Sequence, residues 1–109
     1  MTSNKVFKAL ADPTRRRVLE LLRDGARTAG ELSDHFPGSK PTMSAHFSVL
    51  QEAGLIEAEK EGRTIYYRVR LSVLEDALLG FAGALGIGAA ASGVQRPAQG
   101  RSTLRRREA

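Results

Sequence analysis

Short amphipathic stretches separated by turn signals make up the first half of this chain. Val6, Phe7 and Leu10 recur at a spacing suited to a short helix, which should stop at Asp12 and Pro13. The same Asp-Pro pair is a start signal for a second helix, because an aspartate side chain accepts from unpaired amides and proline fits the first helical position. The buried stripe of this second helix should consist of Val18, Leu19, Leu21 and Leu22.

Two further helices, joined by a tight turn, are predicted next. Thr28 and Glu31 have the spacing of a capping box, in which each side chain bonds the backbone amide of the other residue. A Pro-Gly pair then breaks the helix, Ser39 can cap the following one, and Gly54 can close it. Two short helices connected in this way are typical of a helix-turn-helix.

The hydrophobic pattern changes after Gly54. Residues 55–60 and 64–70 are two β-compatible runs, and the charged Glu-Gly-Arg sequence between them predicts a hairpin tip. The order of elements therefore predicts a mainly α protein with a small β-hairpin, a winged helix-turn-helix of five helices and a two-stranded wing.

A final helix should follow the hairpin. Ser72 and Glu75 have the spacing of a second capping box. The apolar face of this helix should contain Leu74, Leu78, Phe81 and Leu85. Because glycine lowers helix stability by about 1 kcal/mol relative to alanine, the glycines of this segment should weaken the helix beyond Leu85.

The charge of the chain is concentrated at one end. Residues 92–109 carry five arginines and one glutamate, a net +4 of the total +5, so residues 1–91 are nearly neutral at +1. With few large apolar residues, this end is expected to be a basic, disordered tail, and residues 1–91 a DNA-binding and dimerisation domain. Total charge is thus weak evidence for nucleic-acid binding, and any basic surface must arise from local clustering.

Several classes of protein are excluded or disfavoured by what the sequence lacks. It has no cysteine, hence no disulfide and no thiolate metal site. The first ten residues have no secretory apolar run, which favours a cytoplasmic location. The uncharged segment 77–94 is too rich in glycine and alanine for a membrane span, so no membrane contact is expected. No nucleophile and base cluster and no phosphate-binding glycine loop is visible, so an enzyme is not expected.

The helix after Ser39 has an unusual outer face. At about 100° per residue, Met43, Phe47 and Leu50 fall within one narrow arc, which should be the core side. The opposite side carries mainly short side chains, including Ser44 and Ser48. Such a surface is also compatible with an ordinary exposed helix, but a helix-turn-helix context favours entry into the DNA major groove, where hydroxyls can bond base edges or phosphates.

The candidate DNA-binding residues lie in three places. The candidates in this helix are Lys40, Pro41, Thr42, Ser44, Ala45, Ser48 and Gln51, with Thr42 and Gln51 of second rank. The wing candidates, for phosphates or the minor groove, are Lys60, Arg63 and Thr64. Thr28, at a helix start, is a candidate for holding a phosphate.

Three segments, DPTRRRVL, SKPTMSAH and GRTIYY, together resemble the ArsR family of small dimeric winged-helix repressors over roughly residues 4–85. The Ser-Lys-Pro start of the fourth helix is similar to that of the SdpR-type autorepressor branch. The resemblance implies an autoregulatory repressor that needs no cofactor, binds double-stranded DNA as a homodimer, and places two recognition helices in successive major grooves of an inverted repeat. It also implies a dimer interface of first and last helices, formed by Val6, Phe7, Leu10, Leu74, Leu78, Phe81 and Leu85.

The sequence departs from the family pattern where two adjacent histidines are common, because it has Ala45 and His46. Alanine donates no hydrogen bond, so the operator is expected to differ. Many ArsR relatives are released from DNA by a metal, but this chain has only His35 and His46, in different helices, as histidine ligands. A metal- or ligand-responsive sensor, an unidentified inducer or signalling partner, and a winged-helix protein-interaction module stay open as alternatives.

Overall fold

The computed structural model describes residues 2–88, so the predicted tail of residues 92–109 lies outside the described residues. The chain divides into two compact units, the first ending at Leu74 and the second beginning at Glu75. In chain order, the elements are α1 (Thr2–Leu10), α2 (Pro13–Leu21), β1 (Arg27–Thr28), α3 (Ala29–Ser33), α4 (Lys40–Glu52), β2 (Ile56–Glu61), β3 (Thr64–Val69) and α5 (Leu71–Ala84).

The predicted start of α2 is confirmed. The Asp12 carboxylate accepts from the amide of Thr14 at 2.7 Å and from that of Arg15 at 3.4 Å, and Pro13 occupies the first turn. An N-terminal cap of this kind satisfies amides that have no partner within the helix.

The core of the first unit lies where α1 and α2 pack against α4, and where α3 and α4 meet the sheet. The predicted buried stripe of α2 is confirmed, as is the core side of α4. The largest fully buried side chains are Val6, Val18, Leu22, Leu32, Met43, Leu50 and Leu55. Because these apolar side chains come from α1 to α4, from the residue after α2 and from the residue before β2, their burial holds the helix-turn-helix in place.

The sheet has three antiparallel strands in the order β1-β3-β2, so the prediction of a two-stranded wing was incomplete. The additional strand consists of Arg27 and Thr28, which pair with Tyr67 and Tyr66. Two residues are too few to produce an alternating pattern, which is why the sequence did not reveal this strand.

The hairpin turns at Gly62 and Arg63, because Glu61 pairs with Thr64. Gly62 has a φ of +62°, a conformation that two-residue hairpin turns require and that side chains with a Cβ rarely adopt. The wing is therefore a regular hairpin with a tight two-residue tip.

The end of α4 is closed as the sequence predicted. Gly54 has a φ of +78°, its amide donates to the carbonyl of Gln51 at 2.9 Å, and the amide of Leu55 donates to the carbonyl of Leu50 at 3.0 Å. Both leucines are fully buried. This Schellman arrangement lets the chain turn directly from α4 into β2.

The last helix starts at a different residue from the one predicted. α5 begins at Leu71, so Ser72 lies inside the helix and the predicted capping box with Glu75 is wrong. α5 ends at Ala84, and the amide of Ile87 donates to the carbonyl of Ala82 at 2.9 Å, in agreement with the expected weakening near Leu85. Among residues 2–88, no helix is long and apolar enough to cross a bilayer.

Candidate nucleic-acid interface

One side of α4 is packed and the other is open. Met43, Phe47 and Leu50 are only 2%, 3% and 0% exposed, respectively. All seven candidate residues of this helix are exposed, namely Lys40, Pro41, Thr42, Ser44, Ala45, Ser48 and Gln51. Within residues 4–88, the structure therefore presents the predicted short-chained face to solvent.

The N-terminus of α4 suits an anionic partner. The Ser39 hydroxyl accepts from the amide of Thr42 at 3.3 Å and donates to the Thr42 hydroxyl at 3.0 Å. Thr42 can then donate its own hydroxyl hydrogen outward. The first turn of α4 contains no acidic residue, and Lys40 lies there. The positive end of the helix dipole and the charge of Lys40 therefore both favour an anion at this end of α4.

The N-terminus of α3, where a phosphate contact at Thr28 is predicted, is closed by a capping box. The Thr28 hydroxyl accepts from the amide of Glu31 at 3.0 Å, and the Glu31 carboxylate accepts from the amide of Thr28 at 2.8 Å. The bond from the Thr28 amide is the main cause that lowers the pKa of Glu31, so the carboxylate is charged at neutral pH. A phosphate at Thr28 stays a prediction, and it would lie beside the Glu31 carboxylate.

Two arginines of α2 donate hydrogen bonds to backbone carbonyls at the C-terminus of α1. The Arg15 side chain donates to the carbonyls of Ala9 at 2.8 Å and Lys8 at 3.1 Å, at the C-terminus of α1. Arg16 donates in the same way to the carbonyl of Leu10 at 2.7 Å. Cationic groups that satisfy the last carbonyls of a helix complement its dipole. These two guanidinium groups therefore stabilise the C-terminus of α1.

Asp12 lies beside one of these arginines. Desolvation raises the pKa of its carboxyl, but bonds from the amides of Thr14 and Arg15 and the nearby charge of Arg15 outweigh this effect, and the pKa is lowered. Asp12, Arg15 and His46 lie together where α2 meets α4.

The pleat of the wing separates its charges, which the sequence did not reveal. Lys60 pairs with Ile65 on one face, whereas Glu61 pairs with Thr64 on the other. The second face also carries Glu57 and Glu59, because side chains two residues apart on a strand point the same way. The basic character of the tip therefore comes from Lys60 and the turn residue Arg63, and Thr64 lies opposite a carboxylate.

The described residues offer no obvious metal site. Among residues 2–88, no group of three or more histidine, aspartate, glutamate or cysteine side chains could hold a metal ion. His35 is exposed in the turn after α3, and His46 is half-buried in α4 beside Arg15.

The residues predicted for a dimer interface have different environments. Val6 is 0% exposed and belongs to the core of the first unit, and its place in a dimer interface stays a prediction. Phe7, Leu10 and Leu74 are half-buried. Of the other predicted residues, Leu78 and Phe81 in α5 are 46% and 53% exposed, and Leu85, just after α5, is 59% exposed.

The helix-turn-helix of α3 and α4, with an exposed face on α4, is followed by the β2–β3 wing. This arrangement defines the winged helix-turn-helix class of DNA-binding regulators. A helix-turn-helix domain family matches residues 10–59. The chain belongs to the ArsR family of winged helix-turn-helix transcriptional regulators, which confirms the family and fold predicted from the sequence, and proteins of this family are not enzymes.

Individual relatives support this assignment. The chain is 45% identical over 75 residues to the transcriptional repressor SdpR of Bacillus subtilis (strain 168), covering 69% of this chain and 83% of that protein. The crystal structure of an ArsR family transcriptional regulator is 32% identical, with a TM-score of 0.72 over 77% of this chain and 86% of the other. The solution structure of a homodimeric winged helix-turn-helix DNA-binding domain from Mycobacterium bovis is 32% identical, with a TM-score of 0.63 over 76% of this chain and 78% of the other.

Proposed function

We propose that this protein is a homodimeric transcriptional repressor that binds an inverted-repeat operator and controls its own promoter region. In this proposal, α4 of each subunit enters a major groove and the tip of each wing contacts the flanking backbone or minor groove. DNA binding requires no cofactor.

The observation that carries the proposal is the open, short-chained face of α4. Ser44, Ala45 and Ser48 are exposed, and their small size lets the helix backbone approach base edges closely. Lys40 and the helix dipole add positive charge at the end of α4 that would approach a phosphate. An ordinary solvated helix face would more often carry long lysine and glutamate side chains, which would hold the helix out of the groove.

In the wing, Lys60 and Arg63 are the proposed phosphate contacts. Arg63 lies in the two-residue turn, farthest along the hairpin. Thr64 is a second-rank candidate, because Glu61 lies directly opposite and its carboxylate would repel a phosphate.

The proposed dimer is supported by the apolar side of α5. Leu78, Phe81 and Leu85 follow one another at helical spacing and are each about half exposed. A second copy would bury this surface and complete an inverted pair of α4 helices, as two-fold operators require. The homodimeric state of the relative from Mycobacterium bovis is consistent with this assembly.

The proposal is tested by measuring binding of the protein to a labelled duplex from its own promoter region, with a scrambled duplex of equal length as competitor. A repressor should prefer its own site by about 10³-fold or more. Equal affinity for both duplexes, or no salt-dependent binding to either, would favour the protein-interaction alternative and overturn the proposal.

The groove assignment is tested by Ser44→Glu, which puts a carboxylate and a longer side chain on the open face of α4. Specific binding should disappear, while sedimentation should still show a dimer. Ser72→Glu is the matched control, since it places the same charge at an exposed serine of α5 and should leave operator affinity unchanged. Undiminished operator binding by Ser44→Glu would exclude α4 as the reading helix.

A further inference from the structure

The Arg15 side chain connects three helices. Its Nε donates to the carbonyl of Ala9 at 2.8 Å and its Nη2 to that of Lys8 at 3.1 Å, both at the end of α1. Its Nη1 lies 3.3 Å from Nδ1 of His46 in α4, while Arg15 itself belongs to α2. The planar, branched guanidinium group makes these three contacts at fixed mutual angles.

The position of His46 on α4 allows this contact to restrain the rotation of the helix. His46 is half-buried, next to the arc of Met43, Phe47 and Leu50 that packs into the core. Apolar packing fixes how deeply a helix lies but is not directional. A hydrogen bond at the edge of the packed arc opposes rotation of α4 about its own axis.

Small rotations matter for the open face of α4. Side-chain tips lie about 5 to 6 Å from a helix axis, so a rotation of about 10° moves them by roughly 1 Å. Hydrogen bonds to bases form over a distance range of only about 0.5 Å. A change of this size would therefore displace Ser44 and Ser48 from productive contact without unfolding the helix.

We propose that Arg15 and His46 are positioning residues for operator recognition, and that their contact sets the rotation of α4 relative to the junction of α1 and α2. This inference rests on the proposed DNA-binding function. Neither residue is among the proposed base-reading side chains of the open face, and both act by holding that face in place.

The chemistry of the contact requires one form of the histidine. The guanidinium group is a permanent cation with donors only, so Nδ1 of His46 must offer a lone pair. Protonation of His46 would remove this acceptor and place two cations in contact. The Asp12 carboxylate, at the start of α2, is the negative charge near Arg15 and His46. From α1, backbone carbonyls contact Arg15, whereas the Lys5 and Lys8 side chains are exposed.

Two substitutions of His46 separate positioning from packing. In His46→Asn, the amide oxygen can take the place of Nδ1 as acceptor and cannot be protonated between pH 5 and pH 8. In His46→Leu, a side chain of similar bulk offers no acceptor. Operator affinity, affinity for a scrambled duplex and the unfolding midpoint are measured for both variants and for wild type.

We expect His46→Leu to lose about tenfold or more in operator affinity, the typical effect of a hydrogen bond to a charged group. Its affinity for the scrambled duplex should change less than about twofold, because phosphate contacts tolerate small displacements better than base contacts. His46→Asn should retain wild-type operator affinity. Equal losses in both variants, or equal loss for operator and scrambled duplex, would overturn the proposal.

A double-mutant cycle provides an independent readout. Arg15→Lys should weaken operator binding less in His46→Leu than in wild type, since the contact between Arg15 and His46 is part of the loss in both single variants.

The two proposals fail differently. If wild type shows no preference for the operator, the proposed function fails and the positioning role with it. If wild type prefers the operator but the losses of Arg15→Lys and His46→Leu simply add, only the positioning role is overturned.

Discussion

The ring of Phe47 lies 4.9 Å from the ring of Tyr67, centroid to centroid, with the two planes tilted by 40°. Phe47 belongs to the core side of α4 and Tyr67 to the central strand of the sheet, so this aromatic pair joins the proposed reading helix to the base of the wing. Both side chains are buried, and burial raises the pKa of the Tyr67 phenol. The proposed DNA-contacting elements are therefore parts of one packed unit.

This relationship predicts energetic coupling between Phe47 and Tyr67. Each single replacement by leucine should lower the free energy of unfolding by about 1 to 3 kcal/mol. The double variant should lose less than the sum of the two by about 0.5 to 1.5 kcal/mol, the value of an aromatic pair beyond its buried area. Chemical denaturation measures all three. Tyr66→Leu is the matched control, and a non-additive effect of equal size between Phe47 and Tyr66 would contradict the specific pairing.

The separation of charges in the wing predicts opposite effects of two neighbouring substitutions. Arg63→Ala should weaken operator binding and lower the slope of log affinity against log salt by about 0.9, the value for one lost phosphate contact. Glu61→Gln should strengthen binding by about threefold, because it removes a carboxylate next to the tip. Glu57→Gln, on the same face but far from the tip, should have a smaller effect. An unaltered salt slope in Arg63→Ala would exclude the wing tip as a DNA contact.

The exposed apolar side of α5 predicts a position-specific effect on assembly. Leu78→Glu should convert the dimer to a monomer and abolish operator binding, because a charge cannot be buried unpaired in an apolar interface. Leu79 is 71% exposed and lies about 100° away around the helix, so Leu79→Glu should leave the dimer intact. Sedimentation equilibrium distinguishes the two. Dimers of unchanged stability in Leu78→Glu would exclude this side of α5 as the interface.

The two capping carboxylates predict a loss of stability in acid. The pKa values of Asp12 and Glu31 are lowered in the folded protein from 3.8 and 4.5. Their contribution is therefore complete at neutral pH and is lost as the pH falls below about 4, through the lowered folded-state values.

The test combines Asp12→Asn with Glu31→Gln, which keeps oxygen acceptors at both caps but removes their titration. The melting temperature of this double variant should fall less than that of wild type between about pH 5 and pH 2.5. Asp24→Asn changes an exposed carboxylate that caps no helix and serves as the control. If the double variant and wild type show the same acid dependence, the capping carboxylates do not cause it.

The arginines of residues 92–109 predict a contribution to non-specific DNA affinity. Truncation after Ser92 should lower affinity for a scrambled duplex at low salt and reduce the salt slope, while specificity for the operator should persist. Replacing Arg105, Arg106 and Arg107 by glutamine in the full chain should reproduce part of this loss. Low-salt affinity that is unaltered by truncation would reject the role of the tail.

Features that depend on near neighbours could be predicted from the sequence alone. Asp12, Ser39 and Gly54 mark helix ends because each acts on amides or carbonyls only a few residues away. The core side of α4 was also predictable, because helical periodicity alone aligns Met43, Phe47 and Leu50. The family assignment followed from the same local segments, and the open face of α4 is the complement of its packed side.

Features that join distant parts of the chain depend on long-range packing and could not be predicted in this way. β1 exists because Arg27 and Thr28 meet Tyr67 and Tyr66, and two residues carry no pattern of their own. Val6 lies in the core because α1 packs against α2 and α4, although its spacing also suited a surface stripe. The contact of Arg15 with His46 spans 31 positions, so no local rule could reveal it. Backbone hydrogen bonding and periodicity act within a few residues, whereas the partner of a side chain across the core is determined only when the whole chain has packed.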